Sequence, residues 1–489
     1  MKKLLSVLLT LAVVLGLSLT MGTTTTWAVN PGESIQAAIG PTGPTGPTVK
    51  NVILLIGDGM GPAHVELTRL CLGGSELAME EMDETGPSYM TTYSLDPDDQ
   101  TTHKITDSAA AGTAIATGYK TYNHAISVDF DHSDLVTVLE RAEEEGKATG
   151  VITDVWIEDA TPAVFTSHVE DRDMYYEIAL QMAYADVEVL MGAGRGAFLP
   201  KGKGSKGGQR TDGRNLIDEM ENMGYIYVDS AKELENAEVN LGDDDKLLGF
   251  FGGFSAMTYD LDRQHDKQIG EPTLAEMTEK AIEVLSQDED GFFLMVEGGI
   301  LDWCSHNRDV AALVTETEAL DEAVEVAWDF AVEDGETLVV VTADHECGSL
   351  QMTSDSVQNE PPTFVPIDLE ALDVDFIWGI TATTEYMWGE IIHGANIEAT
   401  VLEYTGYDLS DDEVDLIKDA GKHGETIISD ILSARAGVEW GYEGTDNGQH
   451  SFAAVPIYAY GPNAERFDAV TDNTEFGQEL FVAVSGYWH

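Results

Sequence analysis

The chain has 489 residues, 43% of them hydrophobic, which is enough for a large core and for one oversized α/β domain with insertions. It carries 89 acidic against 25 basic side chains, a formal charge of -64. That excludes a nucleic-acid-binding surface, because the phosphate backbone would be repelled.

The acids occur in short runs such as Asp243-Asp244-Asp245 and not in one tail. They read as a solvated surface and point to work in concentrated salt, where self-repulsion is screened. Met1-Lys2-Lys3 and the apolar run over 4–19 read as a secretory signal cut after Ala28, so the chain is expected to be secreted or periplasmic. The run is short for a membrane anchor and no basic stop-transfer follows, so no span is expected after signal removal. Residues 29–48 are a Gly/Pro/Thr linker. The folded domain is expected over 49–489.

Residues 52–56 are an unbroken apolar run, the mark of a buried parallel strand. The run ends in Gly57-Asp58-Gly59-Met60-Gly61, where glycines turn the backbone around one acid. In Thr106-Asp107-Ser108-Ala109-Ala110-Ala111-Gly112-Thr113-Ala114, a serine opens a run of small, helix-compatible residues. Ser108 there is either a plain N-cap or a hydroxyl aimed at an anion held by free N–H groups.

Helix is then predicted over 135–145, 174–185, 274–286, 310–332 and 474–485. Strand is predicted over 148–152, 187–191, 292–296, 337–342 and 455–460. This alternation gives the α/β class: a large, mostly parallel central sheet with helices on both faces. The Gly/Lys-rich stretch 194–213 reads as a surface loop or as a phosphate-gripping one. Residues about 353–440 break the rhythm and read as an insertion over the sheet edge or near the active-site mouth. Cys71, Cys304 and Cys347 are too few for a disulfide framework. A Cys304–Cys347 bridge or a thiolate ligand are the alternatives to free thiols.

In such sheets ligands bind beyond the carboxyl ends of the strands. The chain places Asp58, Glu297, Asp302 and the pair Asp344-His345 there. Asp159 and Thr161 follow the strand over 148–152, and His450 precedes the one over 455–460. His306 lies four residues after Asp302, so on a helix both project the same way. Carboxylates with imidazoles suit zinc, and carboxylates with a hydroxyl suit magnesium. Singly, Asp58 reads as a turn acid and His306 as an exposed helix histidine. Gathered at strand ends beside a helix-start serine, they form the donor pattern of a metal cluster.

Several stretches together resemble the alkaline phosphatase family. They are Asn51-Val-Ile-Leu-Leu-Ile-Gly-Asp-Gly-Met-Gly, the Thr106 to Ala114 run, Gly118-Tyr-Lys-Thr-Tyr-Asn, Asp159-Ala-Thr-Pro-Ala, Val296-Glu-Gly-Gly-Ile-Leu-Asp, Val341-Thr-Ala-Asp-His and His450 upstream of Ala459-Tyr-Gly-Pro. The resemblance runs from about 49 to 351 and again from 446.

It implies hydrolysis of small phosphate monoesters through a phosphorylated Ser108, with Arg172 forking onto two phosphate oxygens. Asp302, His306 and His450 match the ligands of one zinc, and Asp58, Asp344 and His345 those of a second. Asp58, Thr161 and Glu297 match a magnesium site, with Asp159 beside it. A homodimer is implied by analogy. Trp303 departs from the Lys or His found there in many relatives; it packs beside the metals or leaves a water-bridged phosphate contact to Asp159. Alternatives are a phosphodiesterase, a sulfatase or a cofactor-independent mutase of the wider superfamily, or an exported metal- or phosphate-binding protein. Against the first group stand a serine nucleophile, the absence of a sulfatase modification motif around it, and an arginine suited to a dianion.

Overall fold

In the computed structural model the described residues are 49–202, 207–253, 256–263, 265, 270–350, 372–441 and 449–485. The expected signal, linker and first part of the 353–440 insertion lie outside them. The described residues form eleven strands: β1 (Asn51–Gly57), β2 (Ser88–Met90), β3 (Ser94–Leu95), β4 (His103–Lys104), β5 (Ala148–Trp156), β6 (Val189–Ala193), β7 (Tyr225–Val228), β8 (Lys246–Phe250), β9 (Phe292–Gly298), β10 (Thr337–Thr342) and β11 (Val455–Tyr460). Nine of them join one sheet in the order β2-β11-β10-β1-β9-β5-β6-β8-β7, and β3 pairs with β4.

The apolar runs lie centrally because both faces of these strands are covered: every residue of β1, β9 and β10 is buried. From β10 to β7 all neighbours are parallel. The carboxyl ends of β1, β9, β10 and β5 therefore open on one rim. β11 runs antiparallel to β10, Val341 facing Tyr458. Its amino end thus reaches the same rim, which explains how His450, before a strand, joins acids that follow strands.

The helix Ser108–Thr117 is buried along its whole length. Its small residues have a packing reason. A Cβ at Gly112 would stand 3.0 Å from Val164 of the helix Ala160–Thr166. One at Gly477, in the helix Asn473–Val484, would stand 2.6 Å from the Ala114 carbonyl. One neighbouring helix closes on this one to backbone contact and the other lays the Val164 side chain against Gly112, fixing where Ser108 sits.

Most predicted elements appear with shifted ends. The helix predicted over 135–145 runs Val138–Glu144, because Thr137 caps it: the Glu140 N–H donates to Thr137 Oγ1 at 3.1 Å, and the Thr137 N–H to Glu140 Oε2 at 2.8 Å. The strand predicted over 148–152 continues to Trp156, and that over 187–191 runs Val189–Ala193. The outer strands β7 and β8 and the short β2 escape the periodicity argument.

Residues 372–441 carry five α-helices: Val374–Gly379, Thr384–Ile392, Ile397–Thr405, Asp411–Ala420 and Gly424–Ala436. They dock just past the helix Ile300–Asn307. Thr384 donates its N–H (2.7 Å) and hydroxyl (2.9 Å) to Asp309 Oδ2, and Ser433 Oγ donates to the Arg308 carbonyl at 2.9 Å. Among the described residues no helix is long and apolar enough to cross a membrane.

Candidate active site

Four rim turns bring the sequence-predicted acids and histidines together. After β1, Gly59 adopts φ +74, and a Cβ there would stand 2.8 Å from the Cys347 Cβ and 2.9 Å from Asp302 Oδ1. Only glycine lets Asp302 and Cys347 close on this loop. The Gly59 N–H donates to Asp344 Oδ1 at 3.2 Å, tying the β1 and β10 loops together.

After β9, the N–H groups of Gly299 (2.7 Å) and Ile300 (3.0 Å) donate to Asp154 Oδ1, an acid of β5. Asp154 thereby fixes the start of Ile300–Asn307, the helix that carries Asp302 and His306. One turn apart, Asp302 Oδ2 and His306 Nε2 are 3.2 Å apart. The far side of that helix is fixed through His64, whose Nε2 lies 3.0 Å from Ser305 Oγ.

His450 Nδ1 lies 2.9 Å from the carbonyl of Thr106, in the loop leading to Ser108. A carbonyl only accepts, so that nitrogen carries the proton and Nε2 bears the lone pair. His450 Nε2 stands 3.2 Å from His306 Nε2 and 3.8 Å from Asp302 Oδ1. The His450 ring stacks on that of His345 with centroids 3.7 Å apart. His345 Nε2 in turn meets Ser108 Oγ at 3.2 Å, Asp344 Oδ2 at 3.4 Å and Asp58 Oδ1 at 3.5 Å.

Asp107, not Ser108, caps the serine helix: its Oδ1 accepts the Ala110 N–H at 3.0 Å. The Ser108 hydroxyl is thus left for His345 and the cavity at the positive end of the helix. Asp107 Oδ2 also accepts from the His124 N–H at 3.0 Å and from Arg172 Nη1 at 3.4 Å. Arg172 Nη2 donates to Asp159 Oδ1 at 2.8 Å. Burial works against the guanidinium charge, but Asp159 and Asp107 hold its pKa above the ordinary value.

The donor chemistry fits cations. Asp58 Oδ1, Asp302 Oδ1, Asp344 Oδ2, both carboxylate oxygens of Glu297, and Thr161 Oγ1 are buried without a hydrogen-bond partner. Orphaned acceptors in this number are too costly to leave unpaired in a core. Burial and then the charge of Asp344 push Asp58 well above the usual carboxylate range. Burial and then Asp159 and Asp154 do the same to Glu297. Asp344 rises to about 6, first by burial and then through Asp302. Burial lowers His345 and His450 to about 4, leaving both neutral and able to donate a lone pair.

Ligand atoms of Asp302, His306, Cys347 and His450 lie within 4.8 Å of one another, as do those of Asp58, Asp302 and His345. Two details differ from the expected partition. Asp302 faces both groups. Asp344 uses Oδ1 on the N–H groups of Gly59 and His345 (2.9 Å) and turns only Oδ2 to the cavity.

Cys304 and Cys347 are free buried thiols, so the bridge between them is not formed. Trp303 packs edge-on against Trp156, centroids 6.1 Å apart. In the loop 194–213, of which 203–206 lie outside the described residues, Arg195 pairs with Asp229 at 3.1 Å. Arg210 there pairs with Asp212 at 2.5 Å and donates to the Tyr176 and Ala197 carbonyls. Both arginines have structural partners. Sequence reasoning missed Asp107 and Asp154. The first carried a signal, an Asp before Ser-Ala-Ala-Ala; the second only the oddity of an acid inside an apolar strand.

A family model described as alkaline phosphatase matches residues 49–485. Alkaline phosphatase 3 of Bacillus subtilis is 36% identical over 459 residues, covering 89% of each chain. Among solved structures, a cold-active alkaline phosphatase from a psychrophilic Shewanella is 28% identical with TM-score 0.74, covering 89% of this chain and 99% of that one. A histidine-to-aspartate variant of the alkaline phosphatase from the Antarctic bacterium TAB5, with Mg bound in its M3 site, is 25% identical with TM-score 0.60. It covers 91% of this chain and 100% of that one.

Proposed function

This chain belongs to the alkaline phosphatase family and is a phosphoric monoester hydrolase, and we propose that it works through a phosphoserine at Ser108 on a two-zinc, one-magnesium site. The observation that carries this reading is the Ser108 hydroxyl, 3.2 Å from the neutral His345 imidazole and at a helix start, among buried carboxylates with orphaned oxygens. Asp302, His306 and His450 would hold one zinc, and Asp58, Asp344 and His345 the other. Asp58, Thr161 and Glu297, with Asp159 beside them, would hold magnesium. When bound, the cations supply Lewis acidity that lowers the pKa of the serine hydroxyl and neutralises charge on the phosphate.

The remaining steps belong to the chain itself. Ser108 Oγ attacks phosphorus in line, the Oγ–P bond forming as the ester P–O bond breaks and the alcohol leaves. Water then attacks phosphorus, freeing inorganic phosphate and restoring the hydroxyl. Arg172, with Asp107 and Asp159 fixing its fork, donates two N–H groups to non-bridging phosphate oxygens. A dianionic monoester gains most from that charge, and this separates the reading from a diesterase.

The test is hydrolysis of a chromogenic phosphate monoester beside its diester and sulfate ester. The monoester is expected to dominate, with turnover lost on chelation. Arg172→Lys should lower monoester kcat/KM by about 10- to 100-fold while the diester rate falls less, because a point charge cannot fork. Faster diester turnover by the native chain would overturn the assignment. A phosphate-binding protein without turnover would show no hydrolysis at all.

The signal-like residues 1–28 support an extracytoplasmic site of action, and the family resemblance supports a homodimer. The charge of -64 supports salt adaptation. Its melting temperature should rise by several degrees between low and molar salt as self-repulsion is screened; a flat or falling curve refutes the adaptation.

A further inference from the structure

Cys347 belongs to no role derived so far, yet its position is closely specified. It lies two residues beyond His345 on the loop after β10, and its N–H donates to the Gly59 carbonyl at 2.9 Å. It forms an isolated antiparallel bridge with His450. Residues directly opposite in such a bridge project their side chains to the same face, with Cβ atoms about 5 Å apart. Cys347 and His450 are therefore directed to one place by the backbone.

That place is the one already occupied by Asp302 and His306. The sulfur lies within 4.8 Å of a ligand atom of each of Asp302, His306 and His450. The Asp302 oxygen nearest the Gly59 loop is buried and has no hydrogen-bond partner. The thiol is fully buried and unbridged, so neither solvent exposure nor a disulfide explains a sulfur here.

Resting on the metal reading above, we propose that Cys347 Sγ is a fourth protein donor to the cation held by Asp302, His306 and His450. On binding, the thiol proton passes to solvent and the thiolate joins the donor set. A soft sulfur donor biases this site toward zinc and away from magnesium or manganese. The adjoining Asp58, Thr161 and Glu297, all oxygen donors, keep the opposite preference. The sulfur thus strengthens a preference that the imidazoles of His306 and His450 already set.

Cobalt(II) added to the metal-free full-length protein tests this. Bound cobalt gives visible ligand-field bands, and a thiolate ligand adds a near-ultraviolet charge-transfer band. The native protein is expected to show both. Cys347→Ser should keep the visible bands and lose the charge-transfer band, whereas Cys71→Ser and Cys304→Ser should keep it. Chelator competition should show zinc held at least roughly 10-fold more weakly by Cys347→Ser. Visible bands without charge transfer in the native protein, or a charge-transfer band surviving Cys347→Ser, overturns the sulfur ligand alone. No cobalt spectrum at all overturns the metal reading with it.

Discussion

Ser108→Ala is expected to abolish turnover, lowering kcat on the order of 10⁴-fold or more with little change in phosphate binding. The size follows from covalent catalysis: without an oxygen at this position no phosphoenzyme forms, and only direct attack by water remains. The specificity of the loss follows from the geometry. Arg172 is fixed by Asp107 and Asp159, and neither contact passes through the serine hydroxyl. The helix should also survive, because its cap is Asp107 and alanine is the better helix former at the next position. A melting temperature near that of the native protein, together with the rate loss, separates chemistry from misfolding. A variant retaining a tenth of the native rate would remove Ser108 from the reaction.

How much of this was legible beforehand depends on how local the signal is. Asp58, Asp344 and His345 follow unbroken apolar strands directly, and Asp302 and His306 are one helical turn apart, so pattern alone places them at one rim. His450 needed the direction of β11, which no local pattern carries. The outer strands β7 and β8 were missed because Tyr225, Ile226 and Tyr227 alternate only weakly and Lys246 opens β8 beside Glu188. Asp154 was invisible for a different reason. Its work is to hold two backbone N–H groups of a helix distant in sequence, and such long-range contacts leave no mark at either end. The lesson extends to Cys347, whose bridge partner lies on a segment joined to it only by the fold.

Removing the metals is expected to do more than stop the reaction: it should reverse how stability responds to pH. Asp58, Asp302, Asp344 and Glu297 are buried at one rim, and without cations most of them bind protons more tightly folded than unfolded. Stability then falls as pH rises from the ordinary carboxyl range through the raised values, since the native state must release protons that the unfolded chain has already lost. Asp344, raised from 3.8 to about 6, adds to that fall. Asp302 has the opposite sign, because His306, one helical turn on, holds its carboxyl low despite burial. Its stabilising contribution is lost only in strong acid, below the window. His345 and His450, lowered to about 4 by burial, are neutral in the folded state but lose their protons near 6.5 in the unfolded chain, so below about pH 6.5 both oppose that fall. Chelated protein should therefore melt progressively lower as pH rises above about 6.5, where Asp58 and Glu297 act unopposed by the histidines. Zinc and magnesium should restore the loss, most strongly at the alkaline end, where fewer protons compete with the cations for the carboxylates. The same linkage accounts for the working range of such a site: only above the raised carboxyl values do its oxygens hold cations without first giving up protons. A chelated protein whose melting temperature stays flat above about pH 6.5, or one that zinc and magnesium leave unmoved, would mean that these carboxylates are neutralised by something other than metal.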